Sequence, residues 1–147
     1  MRFQLVMNAA DPDRLAHFWA AALHYQLEPV PTGFDTWDDY YRDLGLPDEF
    51  LGRGEDSIVD PAGEGPRIWF QQTDAAKTGP NRLHLDIAAG RDRSLPIETR
   101  VGLVEAEVER LVSLGASRVG AREPLEPGLD HYAVGMLDPE GNEFDVN

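Results

Sequence analysis

The sequence predicts an α+β fold built from two tandem βαβββ modules, and three observations carry that prediction. Residues 60–70 and 138–146 each contain an Asp-Pro-x-Gly turn that runs into a short β-prone segment, Arg67-Ile68-Trp69-Phe70 in one case and Glu143-Phe144-Asp145-Val146 in the other. Each half opens on a strand-like run, Phe3-Gln4-Leu5-Val6-Met7 and Leu83-His84-Leu85-Asp86-Ile87. Each opening run is followed by a stretch with helical apolar spacing.

Along the chain, residues 2–9 alternate as a strand. Asp11-Pro12 then starts a helix, with Asp11 as N-cap and Pro12 in the first turn, where its missing N–H costs nothing. Leu15, Phe18, Trp19, Ala22 and Leu23 form one apolar stripe, read as core packing. The helix should end near His24, with Tyr25–Val30 a second strand. Residues 31–52 interrupt the pattern with Pro31, Gly33, Pro47 and Gly52 around Phe34, Trp37, Tyr40, Tyr41, Leu46 and Phe50. This aromatic insertion reads as a one- or two-turn helix covering a sheet end, and a lid or pocket wall is the competing reading. Ser57–Val59 and Arg67–Gln72 complete the first module, about residues 2–73.

A polar linker occupies 74–81, and the second module spans about 82–147. Leu83–Ala89 should be a strand. Glu98–Leu114 should be a helix with Val101, Val104, Val108, Leu111 and Val112 on its apolar side and Gly115 ending it. Ser117–Ala121, His131–Leu137 and Glu143–Val146 are the remaining strands, with a loop over Glu123–Asp130.

Composition narrows the function. Acidic residues outnumber basic ones 27 to 13, a net charge of −14, and no basic block offsets it, so a nucleic-acid partner is not expected. No apolar run reaches the ~20 residues of a membrane helix, and Met1-Arg2-Phe3-Gln4 lacks the apolar stretch of a secretory signal. With no cysteine, disulfides and thiolate metal sites are excluded. A cytoplasmic location is the expectation.

Superposing the copies matches Gln4 with His84 and Arg67 with Glu143, once two extra residues are allowed in the first Asp-Pro turn. Alternation puts Trp69 on the face of Arg67 and Asp86 on the face of His84. If the sheets curl together, the four matched polar side chains converge. Arg67 is not a metal ligand, because a guanidinium has donors only. It suits an anionic group on a ligand, or it serves as counter-charge to Glu143 in place of a metal. Calcium-loop, phosphate-loop and serine-elbow motifs are absent from the sequence.

The βαβββ repeat, Asp11-Pro12…Phe18-Trp19, Asn81-Arg82-Leu83-His84-Leu85-Asp86 and Asp138-Pro139-Glu140-Gly141-Asn142-Glu143-Phe144 together resemble the vicinal oxygen chelate superfamily, and more narrowly its glyoxalase-like domain proteins. The resemblance covers essentially all of the chain, 1–147, as one domain. It implies an eight-stranded, incompletely closed cup with helices outside. It also implies a divalent metal, with zinc, nickel, manganese and iron all suited to an imidazole, a carboxylate and an amide oxygen, on Gln4, His84 and Glu143, and with Arg67 at the fourth ligand position. Glu143 would double as catalytic base in a lyase or isomerase acting on a small carbonyl compound. Arg67, Trp69, Trp37 and His131 would contact the substrate. The rival reading is a ligand-sequestering protein of the antibiotic-resistance type. A homodimer is expected through open sheet edges.

Overall fold

The computed structural model describes residues 3–52, 54–122 and 130–147. It divides into two compact units, Met1–Ala76 and Lys77–Asn147.

In the first unit, β1 (Gln4–Ala9), α1 (Pro12–Leu23), β2 (Gln26–Leu27), α2 (Trp37–Asp43), β3 (Ser57–Val59) and β4 (Arg67–Gln72) follow in order. Their strands make one mixed sheet in the order β1-β4-β3-β2. β1 lies parallel to β4 from Gln4↔Arg67 to Ala9↔Gln72, and the other pairings are antiparallel. The Asp11 carboxylate accepts the Arg14 N–H at 3.1 Å, which caps α1 as its Asp-Pro start requires. His24 takes the left-handed conformation (φ 57°) and closes the helix. Leu15, Phe18, Trp19 and Ala22 of the predicted stripe are buried, Leu23 only partly so, and Ala16 joins them; together they pack with Ile58, Ile68 and Phe70 of the sheet. Burial of each large apolar side chain contributes about 1.5–3 kcal/mol.

The insertion forms α2, capped reciprocally by Thr36 and Asp39: the Asp39 N–H reaches Thr36 Oγ1 at 3.1 Å, and Thr36 Oγ1 donates to Asp39 Oδ2 at 2.6 Å. None of its residues is fully buried. The insertion's rings meet one another instead, Phe34–Tyr40 edge-on at 5.2 Å, and Trp37–Tyr41 and Tyr40–Tyr41 tilted at 5.7 and 5.9 Å between centroids.

In the second unit, β5 (Asp86–Ile87), α3 (Ile97–Ser113), β6 (Ser117–Arg122), β7 (Ala133–Leu137) and β8 (Glu143–Val146) repeat the plan. The sheet order is β5-β8-β7-β6, with β5 parallel to β8 and the rest antiparallel. Val104, Val108 and Leu111 of α3 are buried with Val134, Met136, Phe144 and Val146. Val112 does not join them and is 46% exposed, while Arg100 is buried (5% exposed), held by the Leu95 carbonyl and the Asp130 carboxylate. Of the expected loop over Glu123–Asp130, residues 123–129 lie outside the described residues.

The two Asp-Pro turns fold by one device. The Asp60 carboxylate accepts the N–H groups of Ala62, Glu64 and Gly65 at 2.9, 3.0 and 2.7 Å. Asp138 accepts those of Glu140 and Asn142, both at 2.9 Å, and the Asn142 side-chain amide.

β2 and β5 are shorter than expected. β2 is an edge strand held only by the three-residue β3, extended by one Glu28 N–H to Ser57 C=O bond at 2.9 Å. β5 has only β8 beside it, although the Asp145 N–H to Leu85 C=O and Ala89 N–H to Asn147 C=O bonds prolong the pairing. Among the described residues, no helix is long and apolar enough to cross a membrane.

Candidate functional site

On β4, Ile68 and Phe70 enter the core, so Arg67 and Trp69 point to the other face. The parallel register sets Gln4 beside Arg67. The Arg67 guanidinium spends its donors within the unit. Nε and Nη2 bind the two Glu28 carboxylate oxygens at 2.8 and 2.5 Å, Nη1 binds Gln4 Oε1 at 2.7 Å, and Nη2 also reaches Ser57 Oγ at 2.8 Å. The Glu28 hydrogen bond raises the Arg67 pKa further.

Ser57 Oγ donates in turn to Asp56 Oδ1 at 2.8 Å, and Trp69 Nε1 donates to Asp56 Oδ2 at 2.9 Å. Burial, and then the charge of Asp56, push the Tyr41 phenol up. A cavity of about 360 Å³ opens beside this network, lined by Asp38, Tyr41, Leu46, Phe50, Asp56 and Trp69 among others. Trp37 is not among its lining residues; its indole N–H donates to the Glu28 carbonyl at 3.3 Å. Arg67 borders a separate cavity with Phe3, Val59 and Pro66.

In the second unit, His84 Nδ1 lies 3.2 Å from Asp86 Oδ1 and 3.9 Å from Asp145 Oδ2. One ligand atom from each of His84, Asp86 and Asp145 falls within 4.8 Å of the other two. The second Asp86 oxygen accepts Asn147 Nδ2 at 2.9 Å and faces Arg91 Nη2 at 3.5 Å. Asn147 Oδ1 accepts Arg91 Nε at 2.6 Å, so the carboxylate is oriented from behind, as outer partners orient metal ligands. One imidazole nitrogen and two carboxylate oxygens fit a divalent zinc, manganese, iron or nickel ion.

Glu143 is engaged elsewhere. Its carboxylate takes the Lys77 ammonium at 2.9 Å and the Asn81 N–H at 3.0 Å, and Lys77 first, then backbone N–H donors, hold it below the usual carboxylate range. His131 lines a polar cavity of about 310 Å³ together with Asp86, Arg91, Arg93, Arg100 and Tyr132.

The structure therefore brings Gln4 to Arg67, and His84 to Asp86 and Asp145, while Glu143 is turned to Lys77 and Asn81. Asp145 and Glu28 are not among the expected site residues. The sequence signal for Asp145 is its alternation with Glu143, two residues along the strand on the same face; the parallel register that sets it opposite Asp86 is seen only in the fold. A third group, Asp13, His17 and Glu55, lies on the outer side of α1; His17 Nδ1 pairs with the Asp13 carbonyl at 2.9 Å. Nothing in the sequence singles out His17.

Against known proteins, a family model described as a glyoxalase-like domain matches residues 4–147. Among solved structures, a glyoxalase/bleomycin resistance protein/dioxygenase family enzyme from Burkholderia phytofirmans PsJN superposes with TM-score 0.58 at 15% identity, covering 98% of this chain and 94% of that one. The E126Q mutant of the fosfomycin resistance protein FosX from Listeria monocytogenes, complexed with Mn(II) and 1S,2S-dihydroxypropylphosphonic acid, gives TM-score 0.58 at 12% identity over 98% of this chain and 86% of that one. TioX from Micromonospora sp. ML1 gives TM-score 0.50 at 11% identity over 99% and 96%. No curated protein matches the sequence.

Proposed function

The chain belongs to the glyoxalase-like domain family of the vicinal oxygen chelate superfamily, and on that footing we propose that it is a small-molecule enzyme of the lyase or isomerase type. Its substrate is a small carbonyl compound, and a divalent metal is held by His84, Asp86 and Asp145. The observation that carries the reading is the approach of those three ligand atoms to within 4.8 Å. The Mn(II) complex of the FosX relative supports a metal in a fold of this kind. A divalent metal held there by His84, Asp86 and Asp145 would supply Lewis acidity toward a substrate carbonyl oxygen.

The protein's own groups would do the rest. Asp145, with 11% of its side chain exposed, gives a fixed, largely dehydrated carboxylate, whereas His84 remains open to ligand at 46%. Glu143 is the proposed proton acceptor. Lys77 keeps it ionised and therefore weakly basic, so proton abstraction requires Lys77 to withdraw. Within the first unit, Trp69 and Tyr41 wall a cavity of their own. A cytoplasmic homodimer belongs to the same proposal, through unpaired edges of β2 and β6.

Metal analysis of the purified protein, after incubation with zinc, nickel, manganese and iron, tests the reading. One equivalent should bind and should be lost in both His84→Ala and Asp145→Asn. No stoichiometric metal with any of the four ions would reject the metalloenzyme.

The second reading is a ligand-sequestering protein. It is favoured by the first unit's aromatic cavity, which contains none of the metal-group residues. Tight ligand binding without turnover in the metal-loaded protein would select it.

A further inference from the structure

We propose that the cavity beside α2 is a binding site for an organic cation, an ammonium carried on an apolar or aromatic body. This goes beyond the enzyme reading: the cavity lies within the first unit, and binding there does not depend on turnover.

Size is the first support. A cavity of about 360 Å³ suits a compact organic molecule. The second support is the wall chemistry: Tyr41, Phe50 and Trp69 present aromatic rings and Leu46 an aliphatic surface. An ammonium is attracted to the face of such rings, and an apolar body is desolvated against them.

Charge is the third support. Asp38 and Asp56 both line the cavity, and among the described residues both are held by neutral donors. The Gly52 N–H serves both oxygens of Asp38, at 2.9 and 3.1 Å. Trp69 Nε1 and Ser57 Oγ serve Asp56. Neither carboxylate forms an ion pair with a described Lys, Arg or His. The guanidinium of Arg67 acts on Asp56 through the field but is itself matched by the two-point contact with Glu28. Among the described residues, two carboxylates are thus fixed at an aromatic wall without a cation of their own. A bare metal ion would leave the rings unused, and an anion would be repelled. The net charge of −14 further favours the approach of cations.

Calorimetry on the metal-free full chain decides it, with benzyltrimethylammonium, benzyl alcohol and benzoate as probes. The cation should bind at least ~10-fold more tightly than the alcohol, and benzoate should not bind. Asp56→Asn and Asp38→Asn should each weaken the cation by ~5-fold or more, with the alcohol unchanged. Trp69→Leu should weaken both. Equal affinity for cation and alcohol, binding of benzoate, or indifference to both Asp substitutions would overturn the site. Asp38→Asn alone suffices if the Asp56 variant does not fold. The measurement needs no metal and no turnover. The outcome is therefore read separately from the metal analysis, whose failure would sink the enzyme reading and leave the cation site standing.

Discussion

Replacing Glu28 by glutamine isolates the value of the Arg67 network. Arg67 and Glu28 share two charge-assisted hydrogen bonds, at 2.8 and 2.5 Å, and their side chains are only 34% and 22% exposed. Each bond of this kind contributes roughly 1.5–3 kcal/mol when shielded from water. Partial exposure reduces the pair to about 2 kcal/mol in all. The substituted amide would keep one acceptor oxygen but lose the charge and the two-point fit. Arg67 would then hold only Gln4 and Ser57 firmly, at 2.7 and 2.8 Å. Glu28→Gln should therefore cost about 2 kcal/mol, a ~30-fold shift in the unfolding equilibrium. Urea denaturation of Glu28→Gln, Arg67→Met and the double variant gives the coupling directly, expected at about 1–2 kcal/mol. A coupling below about 0.5 kcal/mol would put the pair among ordinary surface ion pairs and refute the reasoning.

Asp138→Ala should cost about 3 kcal/mol by urea denaturation, because Asp138 is 3% exposed and its loss leaves the Glu140 and Asn142 N–H groups without their acceptor. Gly90→Ala should lower stability by about 1–3 kcal/mol, since a Cβ there would stand 2.9 Å from both the Arg100 carbonyl oxygen and Val104 Cγ2; an unchanged melting temperature would show that α3 can retreat freely. Arg118, then Tyr132, hold the Glu105 carboxyl below its usual range. Its contribution is therefore fully present above the ordinary glutamate value near ~4.3 and is lost as pH falls through the lower folded value. The stability gap between the native protein and Glu105→Gln should accordingly narrow when urea midpoints are compared at pH 7 and pH 3.

Local signals made much of the fold legible. Asp11-Pro12 and the Leu15–Phe18–Trp19 stripe located α1, and the repeated Asp-Pro turns located β4 and β8, because a cap or a turn is decided by a few neighbouring residues. The burial of Arg100 was not legible. It depends on Asp130 coming back to α3 from 30 residues away. The site divides similarly. Repeat alignment matched Gln4 with His84 and Arg67 with Glu143, whereas the neighbourhood of Gln4 and Arg67 comes from the parallel register of β1 and β4. Glu28 as the counter-charge depends on β2 lying two strands from β4, which alternation within either strand does not reveal. The choice between Glu143 and Asp145 as neighbour of His84 required the parallel register and the position of Lys77, neither of which has a local signature.

The parallel seam in each sheet bears on how the chain reaches its native state. Gln4 and Arg67 are 63 residues apart, and Asp86 with Asp145 nearly as far, yet these are neighbours on adjoining strands. Nearby antiparallel pairs such as β7 with β8 can zip early, whereas β1 and β5 must await the closure of a long loop before they gain a partner. High contact order of this kind favours slow, concerted folding of each unit. Until the seam closes, β4 and β8 would present a bare strand edge open to intermolecular association.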